Sequence, residues 1–236
     1  MAIRERLAKQ NPDAFEPELA SSLNNLGAVC SALGRREEAL GAAERAAEIY
    51  ERLAKQNPDA FEPNLAASLN NLGAFYSGLG RREEAVGAAE RAVAIRERLA
   101  KQNPDAFEAG FAGSLNNLGA FYSALGRREE ALGAAERAVA IHELLANQNP
   151  DAFEPDLARS LETLGSIWRQ ESPSRAMNAF KRGVETLRRL FLGDPRTFAR
   201  LMAALVRDYM QACESSGEKP DAHLLAPIVQ ALEKLS

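Results

Sequence analysis

The 236-residue chain holds two cysteines, two histidines and one tryptophan, and each scarcity removes a class of function. Cys30 and Cys213 stand 183 positions apart, so a stabilising disulfide is not expected. Two imidazoles, His142 and His223, cannot assemble a metal centre by themselves; His142-Glu143-Leu144-Leu145-Ala146 opens like a zinc-protease HExxH but carries alanine where the second ligand must stand. No G-x-x-x-x-G-K-[ST] and no G-x-S-x-G occurs. Nothing brings titratable groups together as catalysis requires, so the chain is not read as an enzyme and no cofactor is expected. Excess charge of either sign is also missing. Lys plus Arg number 29 against 33 Asp plus Glu, which gives no broad positive field to draw phosphate, and nucleic acid is not expected as a partner. No stretch approaches the roughly 20 apolar residues of a membrane span, and MAIRERLAKQ has no apolar core of a signal peptide. A cytoplasmic location without membrane contact is the expectation.

What is present is repetition. LAKQNPDAFEP, SLNNLG and GRREEALGAAERA recur every 46 residues, with the opening leucine at Leu7, Leu53, Leu99 and Leu145. The units that start at Leu53 and Leu99 differ at eight of 46 positions. A period of this length holds a helical hairpin that cannot bury its apolar face alone, so stacking on neighbours is obligatory.

Within a unit, Leu19, Leu23, Leu26, Cys30 and Leu33 follow one face of a helix A, expected to start just after Glu16-Pro17, where proline suits a first turn. Gly34 ends it. Arg35 to about Gln56 reads as a longer, alanine-rich helix B stopped at Asn57-Pro58, because a residue before proline is pushed out of the α region. The pattern yields segments 1–10 (the end of a preceding repeat), repeats 11–56, 57–102 and 103–148, a degenerate repeat 149–193, and capping helices 194–236. In the degenerate repeat one residue is lost before Ala176, and Phe180 and Gly183 stand where alanines are expected. Phe198, Met202, Leu205 and Tyr209 mark a fifth helix A, and Leu225, Ile228, Val229, Leu232 and Leu235 a last short helix, which Pro227 either starts or kinks. Cys30 takes the register of Tyr76, Tyr122 and Trp168 and is read as a small packing residue. His142 takes the register of Arg96 and is expected on a charged surface.

Leu23, Leu26-Gly27, Cys30, Gly34, Ala39, Ala43 and Ala46, with Leu69, Leu72-Gly73, Tyr76, Gly80, Ala85, Ala89 and Ala92 and their third-repeat counterparts, resemble the tetratricopeptide repeat. The unit is longer than the usual one and is similar to repeats of kinesin light chains and of bacterial signalling proteins. The resemblance implies an all-α, right-handed superhelical solenoid of antiparallel helix pairs that acts as a scaffold or adaptor and binds a protein or peptide on helix A.

Taking 100° per residue from Leu23, the side of helix A away from the core carries Ser21, Asn25, Ala28 and Ala32, then Ala67, Asn71, Ala74 and Gly78, then Gly113, Asn117, Ala120 and Ala124. None is charged, whereas an ordinary solvent-facing side would be rich in Lys and Glu. Asparagine offers both a donor and an acceptor to an extended peptide backbone, so Asn25, Asn71 and Asn117 are candidate peptide ligands. In the resemblance, a similar asparagine ladder holds cargo peptides. The flanking Asn24, Asn70 and Asn116 are either further contacts or structural amides. In the fourth repeat the row becomes Arg159, Thr163, Ser166 and Gln170, with Glu162 and Arg169 alongside; Arg159 and Arg169 either receive an acidic group of the peptide or solvate a terminal repeat. A second expectation concerns assembly. Ile3 to Gln10 repeats Ile95 to Gln102, so the chain opens inside a helix B, through which it could self-associate or join a larger protein as a sensor arm.

Overall fold

The structure, a computed structural model, describes residues 2–235. Met1 and Ser236, the outermost residues of the expected end segments, lie outside the described residues. The described residues form eleven α-helices and no strand. They fall into two compact units, meeting in sequence at Leu125 and Gly126.

The first unit contains α1 (Ala2–Gln10), α2 (Pro12–Ala32), α3 (Arg36–Gln56), α4 (Pro58–Gly78), α5 (Arg82–Gln102) and α6 (Pro104–Leu125). Each helix packs on the next in sequence, and α4 also touches α2 and α6, so the A helices lie side by side. Single residues join B to A: Asn11, Asn57 and Asn103. The proline after each is the first helical residue, where a missing N–H costs nothing. The side-chain oxygen of Asn57 then caps the new helix by accepting from the Ala60 N–H at 3.2 Å, and Asn103 from Ala106 at 3.3 Å. Helix A therefore begins five residues earlier than the sequence reading placed it, at Pro12, and Pro17 lies inside the helix. NPDAFEP thus supplies the N-cap asparagine and the first turns of the helix.

The turn from A to B is made by Gly34 and Gly80 at φ of 74° and 76°, a left-handed conformation that charges any residue with a Cβ for steric strain. The Arg35 N–H returns to the Cys30 carbonyl at 2.8 Å and closes the end of α2. A second glycine is needed for proximity. A Cβ on Gly27 would stand 3.2 Å from the Ala39 carbonyl oxygen and 3.1 Å from the Phe75 ring, and one on Gly73 would meet Ala85 and Phe121 in the same way. The facing alanines are fully buried at positions 39, 43, 46, 85, 89 and 92. Small residues on both helices thus set the crossing distance, as the pattern implied. Of the expected core stripe, Leu19, Leu23 and Cys30 are buried, but Leu26 and Leu33 are exposed. α1 packs on α2 through Ala8 against Leu19 and Leu23.

The second unit contains α7 (Arg128–Gln148), α8 (Pro150–Trp168), α9 (Pro173–Gly193), α10 (Pro195–Ser216) and α11 (Ala222–Glu233). Its core joins α9, α10 and α11 around Phe180, Leu187, Phe191, Met202, Leu205 and Ile228. The departures of the degenerate repeat are paired. Phe180, in place of an alanine on helix B, lies beneath Gly165 of helix A, whose missing Cβ would come within 2.7 Å of the ring; Gly183 likewise leaves room for Leu205 at 2.7 Å. The last helix starts at Ala222, capped by Asp221 through the Leu224 N–H at 3.0 Å, so Pro227 neither begins nor ends it. Cys30 and Cys213 are both buried free thiols, and burial pushes the Cys213 thiol up.

Candidate interaction surface

The six asparagines of the ladder separate into two sets. Asn24 Nδ2 donates to Ser68 Oγ at 2.6 Å and Asn70 Nδ2 to Ser114 Oγ at 2.7 Å, each bond joining one A helix to the next. Ser114 passes its own proton to the Gly110 carbonyl four residues back, at 3.2 Å, which fixes it as the acceptor toward Asn70. The carbonyl oxygens of Asn24, Asn70 and Asn116 are buried and accept nothing from the described residues. Asn24, Asn70 and Asn116 are half-buried, with their carbonyl oxygens turned away from solvent.

The second set is different. Asn25 and Asn71 are exposed and Asn117 is half-buried, and none makes a hydrogen bond among the described residues. Around them Ser21, Ala28, Ala32, Ala74, Gly78, Ala120 and Ala124 are also exposed, giving the first unit a neutral, small-residue row along α2, α4 and α6. Such a row leaves amide donors and acceptors solvated and sterically accessible.

In the second unit the A-helix side is ionic. Arg159 is exposed and paired with Asp156 at 2.7 Å, one turn back on α8. Arg169 bridges to α10: its guanidinium lies 3.2 Å from Asp208 and donates to Gln211 Oε1 at 2.9 Å, with its plane 5.2 Å from the Phe180 ring centre. Asp208, which the sequence reading passed over, is buried and also accepts from Arg207 at 3.0 Å. Arg169 therefore already holds a carboxylate of its own chain. Between α8 and α10 an open cleft of about 1030 Å³ is lined by Arg159, Glu162, Phe198, Arg200, Leu201 and Arg207, among others. Burial, and then the charge of Asp208, raise the Glu162 carboxyl above the usual range.

His142 corrects a second expectation. Its register is an inner one: Tyr50 is buried, Arg96 is half-buried and donates to the Gly110 carbonyl at 2.5 Å, and His142 is only 3% exposed, with Nδ1 2.8 Å from Ser160 Oγ. Gly110 makes this possible, since a Cβ there would stand 2.6 Å from the Arg96 guanidinium. Burial lowers the His142 pKa, so the ring is held neutral. No cluster of three metal-ligating residues occurs among the described residues. No helix among them is long and apolar enough to cross a membrane.

Solved structures share this arrangement. BtubC (BKLC) from P. vanneervenii superposes with a TM-score of 0.69 at 21% identity, over 98% of this chain and 84% of its own. A kinesin-light-chain-type protein of nearly identical TPR-like repeats from Podosopora anserina gives 0.66 at 20% identity, over 93% and 98%. The apo form of RapI gives 0.61 at 16% identity, over 89% and 75%. At such identities the likeness is one of fold. No curated protein sequence matches the chain. The sequence profile of the tetratricopeptide repeat matches residues 19–59, 65–105 and 111–151, each match running from a helix A through the following helix B into the next proline-led start. With three matches covering more than half of its length, the chain belongs to the tetratricopeptide repeat family.

Proposed function

We propose that the chain is a protein-interaction scaffold whose first unit binds an extended peptide segment along Asn25, Asn71 and Asn117. The carrying observation is the contrast within each Asn-Asn pair. In the first two pairs the leading amide is committed between helices, and in all three the second amide makes no hydrogen bond among the described residues and is surrounded by small uncharged side chains. An extended strand presents N–H and C=O groups at regular intervals, and an amide can answer both. Membership of the tetratricopeptide repeat family supports an interaction scaffold in general, with no catalytic role. Arg159, which pairs with Asp156 on its own helix, is the residue of the second unit offered to an acidic side chain; Arg169 supports it from behind by fixing α10.

The test is a peptide-display selection on the full chain, followed by titration of a selected peptide against wild type and an Asn71→Ala/Asn117→Ala double variant. Binding should weaken by about 1–3 kcal/mol, the cost of leaving peptide backbone groups without partners. The melting curve should stay in place. Undiminished binding by the double variant would refute the row as the binding surface.

A further inference from the structure

In the third repeat a charge enters the asparagine face from the helix behind it. Gly110 stands seven residues before Asn117 and three before Gly113 on α6, so helical rotation puts all three on one side of that helix. The corresponding positions of the other repeats carry polar side chains, Glu18, Asn64 and Asp156. At Gly110 the place is filled from α5. A Cβ there would stand 2.6 Å from Arg96 Nη1 and 3.3 Å from its Cζ, so the guanidinium occupies the start of the missing side chain. Tyr50, in the register of Arg96, is buried and keeps its hydroxyl on the Pro17 carbonyl of the helix A before it, at 3.3 Å. Arg96 instead reaches forward to the helix A that follows and is half-buried. There the cation is poorly compensated. Of its five N–H groups, one at Nη1 donates to the Gly110 carbonyl at 2.5 Å. No carboxylate among the described residues pairs with it, and burial lowers its pKa with no acidic neighbour to offset the lost water. The space in front is open: Ala109 is small, and a Cβ on Gly113 would meet nothing within 4 Å.

We propose that Arg96 receives a side-chain carboxylate of the peptide held along the asparagine row, so that the row selects peptides carrying an acidic residue. The inference rests on that row being the binding surface and adds the chemistry of its occupant. A carboxylate accepts two parallel N–H donations from the free edge of a guanidinium while the bond to the Gly110 carbonyl stays in place. Part of the desolvation of the cation has been met on folding, so a ligand that neutralises it loses less on binding than it would at a fully hydrated arginine. The spacing also fits. Gly110 and Asn117 lie about 10 Å apart along α6 at about 1.5 Å per residue, a distance that about three residues of extended chain span. The acidic residue therefore stands about three positions from the one whose backbone Asn117 holds.

The probe is a display library of random short peptides, selected in parallel on the full chain and on its Arg96→Gln variant. Wild type should enrich Asp or Glu at one position, and Arg96→Gln should retain peptides without that preference. The most enriched wild-type peptide, synthesised with an amidated C-terminus so that only side-chain carboxylates remain, should lose at least about tenfold in affinity when the acidic residue is exchanged for its amide. Arg96→Gln should bind both forms alike. Gly110→Asn restores the residue of the second repeat and displaces the guanidinium without removing it, so it should behave as Arg96→Gln does and melt as wild type. Because Arg96 lacks a counter-charge, Arg96→Gln should melt at or above wild type. An acidic preference kept by both variants overturns the proposal, and so does a lowered melting temperature with the preference intact, which makes Arg96 a structural strut. Peptides that need Asn71 and Asn117 but show no acidic position overturn the carboxylate site and leave the row standing. Peptides that need Arg96 yet ignore Asn71→Ala/Asn117→Ala refute the row alone, and a selection that returns no peptide refutes both.

Discussion

Leu26 and Leu72 offer a controlled comparison of burial, because both sit in the sequence SLNNLGA and differ mainly in what lies over them. Local helix propensity and unfolded-state behaviour are nearly the same for the two, so a difference in mutational cost reports the cover alone. Leucine to alanine removes three carbons, worth about 2.4 kcal/mol at about 0.8 kcal/mol per buried carbon. Leu72 is 7% exposed and enclosed by α3, so its deletion adds a cavity, and the total is about 2–5 kcal/mol. Leu26 is 39% exposed, which keeps roughly three fifths of the transfer term, about 1.5 kcal/mol, and leaves no enclosed void.

The two variants, with Arg82→Ala as a surface control expected to cost less than about 0.5 kcal/mol, are compared by urea unfolding followed at 222 nm. Leu72→Ala should lie below Leu26→Ala by about 1–3 kcal/mol at equal m-value. Amide exchange in α4 should accelerate in the same variant, since an array of repeats can open locally. Equal losses for the two leucines would refute the assignment of α3 as the cover of α4.

Ser68→Ala should cost about 1–3 kcal/mol by leaving the Asn24 amide donor without an acceptor, and a thermal-melt double-mutant cycle with Asn24→Ala should recover most of that loss. Gly80→Ala should cost at least about 1 kcal/mol because φ is 76° there, whereas Gly87→Ala, in a helix with open space at its missing Cβ, should be neutral or stabilising; calorimetry of the two separates conformation from packing. His142 is held neutral, with a pKa below its ordinary value of about 6.5, so the unfolded chain takes up the proton first. Its contribution to stability is complete above about pH 6.5 and falls as the pH drops below that value, and His142→Gln should flatten the stability profile between about pH 7 and 5 in denaturant titrations.

The repeat period, the glycine at each A-to-B turn and the alanines at the helix crossing were legible because each rests on a local steric demand that recurs in the sequence. The start of helix A was misplaced because Pro17 resembles a helix-opening proline, while Pro12 opens the helix with an asparagine in the position before it and an aspartate behind it. Both signals were present, and the Asn-Pro-Asp triplet was the stronger. The roles within Asn24-Asn25 were legible only in part, since helical rotation placed Asn25 outward but left Asn24 open between contact and structural amide. One residue is a rotation of 100°, and the position of Ser68 on the next helix decides that the Asn24 amide is taken up between helices. His142 failed for a related reason. Its charged predecessor Arg96 is itself half-buried, tolerated because Gly110 stands opposite, and neither fact appears in the hydropathy of the register.

The degenerate repeat shows how the pattern can drift without loss of packing. A tetratricopeptide crossing needs a small residue on one of the two facing helices, not a particular one. In the first unit both sides are small, with Gly27 against Ala39 and Gly73 against Ala85. At Gly165 the helix-B side has grown to Phe180, and the ring fills the space directly under the glycine. At Gly183 the exchange is reversed, since the small residue has moved to helix B and Leu205 of α10 has taken the volume. Each large residue is thereby matched to an absent Cβ, and Phe180 and Leu205 are both fully buried. The same enlargement gives Arg169 an aromatic ring beneath its guanidinium while Asp208 fixes its outer edge, so one ion pair of the second unit is seated on its altered core.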